Sequence, residues 1–219
     1  MKMKSLCSVA VAALIFVSCK KDSSGPASVD FQLQATNTVV GLQRCTAASV
    51  QWTSGTATPT SVKFEAKKST SEIEYTSTAN QQVNLFSIAQ SSFGNMTLPD
   101  GTYSEIELKI QLNGSNANPA LQLNGSYNNG TTNIPVTFLV TTPVLVKTES
   151  NNVAVSGGAF TAVTALNLNS LMSGISQAAM SSATQTNGAI VISSASNTNL
   201  YNIVVANINQ FHHTDFNHH

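Results

Sequence analysis

Charge is what this chain has least of. Asp, Glu, Lys and Arg together make up 9% of its 219 residues, against about 25% in typical soluble domains. Arginine occurs once, at Arg44, and basic and acidic residues balance at ten each. No basic patch exists to meet a phosphate backbone, which excludes nucleic acid as a partner. Histidine is missing from everything before His212, so no imidazole stands in the body of the chain to serve a nucleophilic serine. The G-x-S-x-G elbow is missing as well. The run Ser156-Gly157-Gly158-Ala159-Phe160 lacks the lysine and the spacing of a phosphate loop. Cysteine is limited to Cys7, Cys19 and Cys45, too few for a disulfide-stapled scaffold. Nor does any apolar run reach the roughly 20 residues that a helix needs to cross a bilayer.

What the N-terminus does have is layered. Met1-Lys2-Met3-Lys4 is cationic, and Leu6 to Val17 carries no charge. A basic start followed by a short apolar stretch is the layout of a secretory signal. The stretch ends in Phe16-Val17-Ser18-Cys19, which resembles a bacterial lipobox, where the cysteine takes the lipid. Residues 1–18 are therefore expected to be a lipoprotein signal peptide cleaved between Ser18 and Cys19, with Cys19 carrying fatty-acyl chains such as palmitate. One acyl chain anchors only marginally, whereas two or three hold a protein durably. Lys20 and Lys21 would each add about 1 kcal/mol against anionic headgroups. Residues 19–27, through Asp22-Ser23-Ser24-Gly25-Pro26, read as a polar tether. With Cys7 removed and Cys19 acylated, Cys45 has no disulfide partner. Beside Thr46, Ala47 and Ala48 no base activates it, and it reads as a small buried side chain.

Asn, Ser, Thr and Gln carry the polarity that charge does not, and apolar residues alternate regularly among them. Val29, Phe31 and Leu33 oppose Asp30, Gln32 and Gln34, the period of a half-buried strand. Val62, Phe64 and Ala66 alternate with Lys63, Glu65 and Lys67, and Ile73 and Tyr75 with Glu72 and Glu74. Ile106, Leu108, Ile110 and Leu112 alternate with Glu105, Glu107, Lys109 and Gln111; a slip of one residue would expose all four apolar side chains. Further strands fall over residues 119–140 around Asn129-Gly130, over 142–149 and over 158–169. Leu98-Pro99-Asp100-Gly101 suits a type I turn. The pairs Asn113-Gly114, Asn124-Gly125, Asn129-Gly130 and Asn187-Gly188 suit tight hairpins.

Beyond Asn169 the period changes. Leu171, Met172, Ile175, Ala179 and Met180 recur at helical intervals, with Asn169 or Ser170 as the N-cap. After a short strand over 188–194, Leu200, Val204, Ile208 and Phe211 mark a second helix. The fold class expected is mainly β: a two-sheet antiparallel sandwich with two short C-terminal helices. It occupies residues 28–211 as one domain, and a histidine-rich tail over 212–219 follows.

Leu98-Pro99-Asp100-Gly101-Thr102-Tyr103, continued by Ile106 and Leu108, resembles the L-P-x-G-x-Y-x-x-I/L-x-L motif of a family of Bacteroidota-type lipoprotein β-sandwich domains of unassigned function. Val83, Leu85 and Ile88 stand where that family has a short apolar segment. Residues 166–176 and 188–208 are similar to segments of such lipoproteins. The resemblance implies a transthyretin-like or pilin-like sandwich in the cell envelope, and it implies no catalytic residues.

Three groups of residues carry chemistry worth weighing. His212, His213, Asp215 and His219 are possible metal ligands; were the preceding helix to continue, His212, Asp215 and His219 would share one face. The alternative is a solvated terminus. Glu72, Glu74, Glu105 and Glu107 form carboxylate pairs of the kind used in glycoside hydrolysis or calcium binding, or else a solvated sheet face beside lysines. Trp52, the single tryptophan, is a core residue or a sugar-stacking platform. The sequence reads first as a lipid-anchored lipoprotein of the outer membrane, on its periplasmic or outer surface. It would be non-enzymatic and without cofactor, a binding or structural module whose partner is the membrane and a protein or glycan. An envelope hydrolase using the strand carboxylates and a metal-binding tail protein are the alternatives.

Overall fold

The computed structural model describes residues 25–42, 48–208 and 212–218. In chain order its strands are β1 (Ala27–Thr36), β2 (Val39–Gly41), β3 (Ser49–Ala57), β4 (Pro59–Lys67), β5 (Glu72–Thr78), β6 (Val83–Asn84), β7 (Ser92–Leu98) and β8 (Gly101–Leu112). The second half supplies β9 (Leu121–Asn128), β10 (Asn133–Val140), β11 (Val144–Val155), β12 (Ala159–Asn167), β13 (Gln185–Thr186), β14 (Ala189–Ile192) and β15 (His212–His218). Three α-helices join them: α1 (Leu168–Leu171), α2 (Gln177–Ser181) and α3 (Thr198–Ile208). The strands follow the alternation of the sequence, because successive side chains point to opposite faces. Val29, Phe31 and Leu33 of β1 are buried, as are Ile106, Leu108, Ile110 and Leu112 of β8. Burying each such side chain contributes about 1.5–3 kcal/mol.

Three sheets result. The first runs β15-β12-β1-β7, with β1 parallel to β12 and antiparallel to β7. The second runs β13-β14-β10-β9-β3-β2, with β6 on the far half of β3. The third, β11-β8-β4-β5, is antiparallel throughout. The first and third face each other through Phe31, whose ring centroid lies 6.0 Å from that of Phe64 on β4. Phe93 on β7 stacks on the same ring at 6.2 Å. Thr58 alone joins β3 to β4, so the second sheet continues from the end of the third. α3 covers the second sheet through Tyr201, 6.1 Å from the Phe138 ring. α2 docks where the Tyr127 hydroxyl meets Ser181 Oγ at 2.7 Å.

The mainly β sandwich expected from the sequence is present, with three sheets in place of two. It also holds two parallel pairs, β1–β12 and β10–β14. Alternation has the same period in either direction, so nothing in the pattern around Phe31 or Ala162 reports which way its neighbour runs. The helical region differs too. Its cap is Asn167, two residues earlier than expected, whose Oδ1 accepts from the amides of Asn169 and Ser170. Gly174, at φ +83°, lies between α1 and a fresh start at α2, which Ser176 caps through Ala179 N. The segment from His212, expected as a tail or as continued helix, is instead the strand β15, paired antiparallel with β12 from Leu166↔His212 to Phe160↔His218.

Two of the four Asn-Gly pairs make tight turns between adjacent strands. Asn187 and Gly188 both have positive φ, 52° and 77°, and join β13 to β14. Asn129-Gly130 joins β9 to β10. Asn113-Gly114 begins the longer link from β8 to β9, and Asn124-Gly125 lies inside β9. Gly125 has a different reason to be glycine. It pairs with Trp52 beside an irregularity in β3, and a Cβ there would stand 2.2 Å from the Gln51 carbonyl oxygen. Trp52 is 2% exposed and fills the core.

Gly125→Ala is expected to destabilise the fold by about 1–3 kcal/mol, as overpacking does. Gly94→Ala, whose new methyl would lie 3.9 Å from the Phe31 ring in ordinary contact, should stay within about 0.5 kcal/mol of the parent. Urea denaturation followed by Trp52 fluorescence measures both.

Candidate functional site

The outer face of the third sheet gathers most of the charge in the described residues. Register sets it in rungs. Lys63, Lys109 and Lys147 lie opposite one another across β4, β8 and β11. The next rung on the same face is Glu74, Glu65, Glu107 and Glu149. A third is Glu72, Lys67 and Glu105. Like charges directly opposite destabilise a sheet, and the rows resolve this by pairing along the strand. Lys63 reaches Glu65 at 2.7 Å and Glu74 at 3.1 Å. Lys109 bridges Glu65, at 2.9 Å, and Glu107. Lys147 bridges Glu149 at 2.8 Å and Glu107 at 3.3 Å, and Lys67 meets Glu105 at 2.9 Å.

These contacts favour the charged forms of Glu65, Glu149 and the four lysines. Hydrogen bonds from Lys63 and then Lys109 pull the Glu65 carboxyl down to about 2. Lys147 lowers Glu149 in the same way. The carboxylates of Glu107 and Glu65 in turn raise Lys109 well above the usual lysine range. Of the carboxylates considered as catalytic, Glu74, Glu105 and Glu107 belong to this ion-pair lattice. Glu107, read as solvated, is 9% exposed, the one buried charged residue among those described. Its central strand and two flanking lysines close it off.

The other candidates separate. Ser18, Cys19, Cys45 and His219 lie outside the described residues. His212, His213 and Asp215 fall on β15, so the helical face that would bring His212, Asp215 and His219 together does not form. Among the described residues no group of three or more His, Cys, Asp or Glu is placed to hold a metal ion.

Two neutral clefts lie elsewhere. One cleft of about 490 Å³ is lined by Gln81, Gln82, Asn84 and Gln90, together with Thr56 and Ser92. A second, of about 320 Å³, is lined by Asn118, Gln122 and Asn124, and shares Thr56, Gln82 and Asn84 with the first. The two form one amide-lined groove across the end of β3. Asn84 Oδ1 accepts from Phe86 N at 2.9 Å, fixing the turn after β6. Gln122 Nε2 donates to Asn124 Oδ1 at 3.3 Å, and Thr137 Oγ1 donates to the same oxygen at 3.2 Å. The groove sits beside the far end of β1, where Ala35 N donates to the Leu85 carbonyl at 2.8 Å. Sequence reasoning passed over it, because its residues come from three separate segments. Its only trace is the density of amides in Asn80-Gln81-Gln82 and Gln122-Leu123-Asn124.

No protein family, curated protein or solved structure matches the chain. Among the described residues no helix is long and apolar enough to cross a membrane.

The ion-pair lattice sets a pH dependence. Glu65 lies below its ordinary value of 4.5, at about 2, when folded. Its contribution is therefore complete above about pH 4.5 and is lost as pH falls towards 2. The urea midpoint is expected to fall across that window, and Glu65→Gln to flatten the fall. Raising salt to about 1 M at pH 7 should shrink the difference between parent and variant.

Proposed function

We propose that the protein is a lipid-anchored envelope protein, held in a Gram-negative outer membrane through acyl chains on Cys19. Its β-sandwich would serve as a non-enzymatic binding module. The observation that carries this reading is the spacing between the lipobox-like Phe16–Cys19 and the first strand. Seven residues, Lys20 to Pro26, lie between Cys19 and Ala27, the first residue of β1, a reach of at most about 29 Å over the intervening steps. Ala27 is wholly buried, so the tether would pass straight into the core of the first sheet. The anchored end of the sandwich would then lie against the headgroups, with the amide-lined groove at the other end of β1. Lys20 and Lys21 would meet the anionic surface. The resemblance to envelope lipoproteins at Leu98–Leu108 supports the same assignment. Glu65, Glu74, Glu105, Glu107 and Glu149 are each ion-paired with lysine, which argues against the hydrolase alternative.

Cloud-point detergent partition of cells expressing the full chain tests the anchor. The parent is expected in the detergent phase, with a mature chain that starts at Cys19 and carries the added mass of acyl chains. Cys19→Ala is expected in the aqueous phase, unacylated. A parent that stays aqueous would sink the proposal.

A further inference from the structure

The groove at the end of β3 carries an inference that rests on the binding-module reading and gives it a ligand class. We propose that this groove binds a neutral oligosaccharide. Its walls present side-chain amides from Gln82, Asn84, Gln90 and Gln122, each with donors and an acceptor. Sugar hydroxyls, which also donate and accept and carry no charge, are the complementary chemistry. No charged residue lines either cleft, so a phosphate, a uronic acid or an ammonium group would leave water without a counter-charge. The lysines of β4, β8 and β11 are committed to carboxylates on another sheet, and Lys68 is bound to the Asp100 carbonyl.

Strand addition by a peptide is the competing mode, and it needs an open backbone edge. Here the edge of β3 is taken. β6 pairs with Thr56 and Ala57, and Leu85 N donates to the Gly55 carbonyl at 2.9 Å. What remains for a ligand is the Gln82 amide and the second hydrogens and lone pairs of amides that already bond each other, Asn84 Nδ2 donating to Gln90 Oε1 at 3.4 Å and Gln122 Nε2 to Asn124 Oδ1 at 3.3 Å. At the rim, Ala89 lines the cleft, and its neighbour Ile88 is 73% exposed. Together they offer an apolar surface for the C–H face of a sugar ring. Each cleft lies at the lower end of the small-molecule scale of about 300–1,000 Å³. β1, ten residues long, spans about 33 Å and sets the groove away from the tethered end, where extracellular or periplasmic glycan is within reach.

The test uses the full chain in a zwitterionic, sugar-free detergent. It is run through native gels containing neutral glucan, xylan, mannan or galactan, and then titrated calorimetrically with the matching hexasaccharide. At least one polysaccharide is expected to retard it. Gln82→Ala combined with Gln122→Ala is expected to weaken binding about fivefold or more, and Gln82→Glu alone to weaken it without touching the fold. Lys63→Met, on the charged face, should bind as the parent does. No retardation in any of the four gels overturns the inference, as does binding that survives the double substitution; both leave the lipid anchor standing. Release of shortened sugars would keep the groove but overturn the non-enzymatic reading. A parent that binds sugar yet stays aqueous in detergent partition would overturn the anchor alone.

Discussion

Phe31 is the contact on which the rest of the architecture depends. It sits on β1, an interior strand of the first sheet, and its ring meets Phe64 of the third sheet and Phe93 of the neighbouring β7. Aromatic pairs at this separation add about 0.5–1.5 kcal/mol beyond the area they bury. More to the point, they fix which two sheets lie face to face. With the first and third sheets held there, the outer face of the third is left to water, and the chain puts its few charges on it. The second sheet, reached through the single residue Thr58, inherits a surface with almost none.

That division explains how a chain so poor in charge stays both specific and compact. Lys63, Lys67, Lys109 and Lys147 each find a glutamate two residues along or one strand across, and the register of β4, β8 and β11 is the arrangement that brings these pairs together. A one-residue slip would turn the charged face inward and the apolar face outward, so burial and ion pairing select the same register. Exposed ion pairs contribute little singly; here they act together, with Glu107 shielded between Lys109 and Lys147. Concentrating charge on one sheet also leaves the amide groove electrically quiet, which suits it to a neutral ligand.

Much of this was legible in the sequence, and the parts that were not have a common cause. Alternation found β1, β4, β5 and β8 with the right side inward, because it is a local property of consecutive residues. The segment from Leu98 to Tyr103 is held by contacts within and near itself. Leu98 and Tyr103 are buried, and the Tyr103 hydroxyl donates back to the Pro99 carbonyl. Gly101 has φ +146° with Lys68 packed against it. The parallel neighbours β1 and β12 were not legible, since pairing partners more than a hundred residues apart leave no local mark. Asn124-Gly125 reads as a turn by its dipeptide chemistry, yet here the glycine answers to the approach of the Gln51 backbone from another strand. The amide groove was missed for the same reason: its walls are assembled from β3, β6 and β9, and no single stretch contains it.

The position of β1 has a mechanical side. The chain enters this strand at Ala27, and the strand is bonded on one flank to β12 over nine residues and on the other to β7. A pull between the entry point and the far end of the sandwich acts along the strand axis. The bonds to β12 and β7 then bear the load together, in shear, and cannot open one at a time like a zip. A sandwich threaded in this way resists being drawn out of its own fold, whatever tugs on its distal surface.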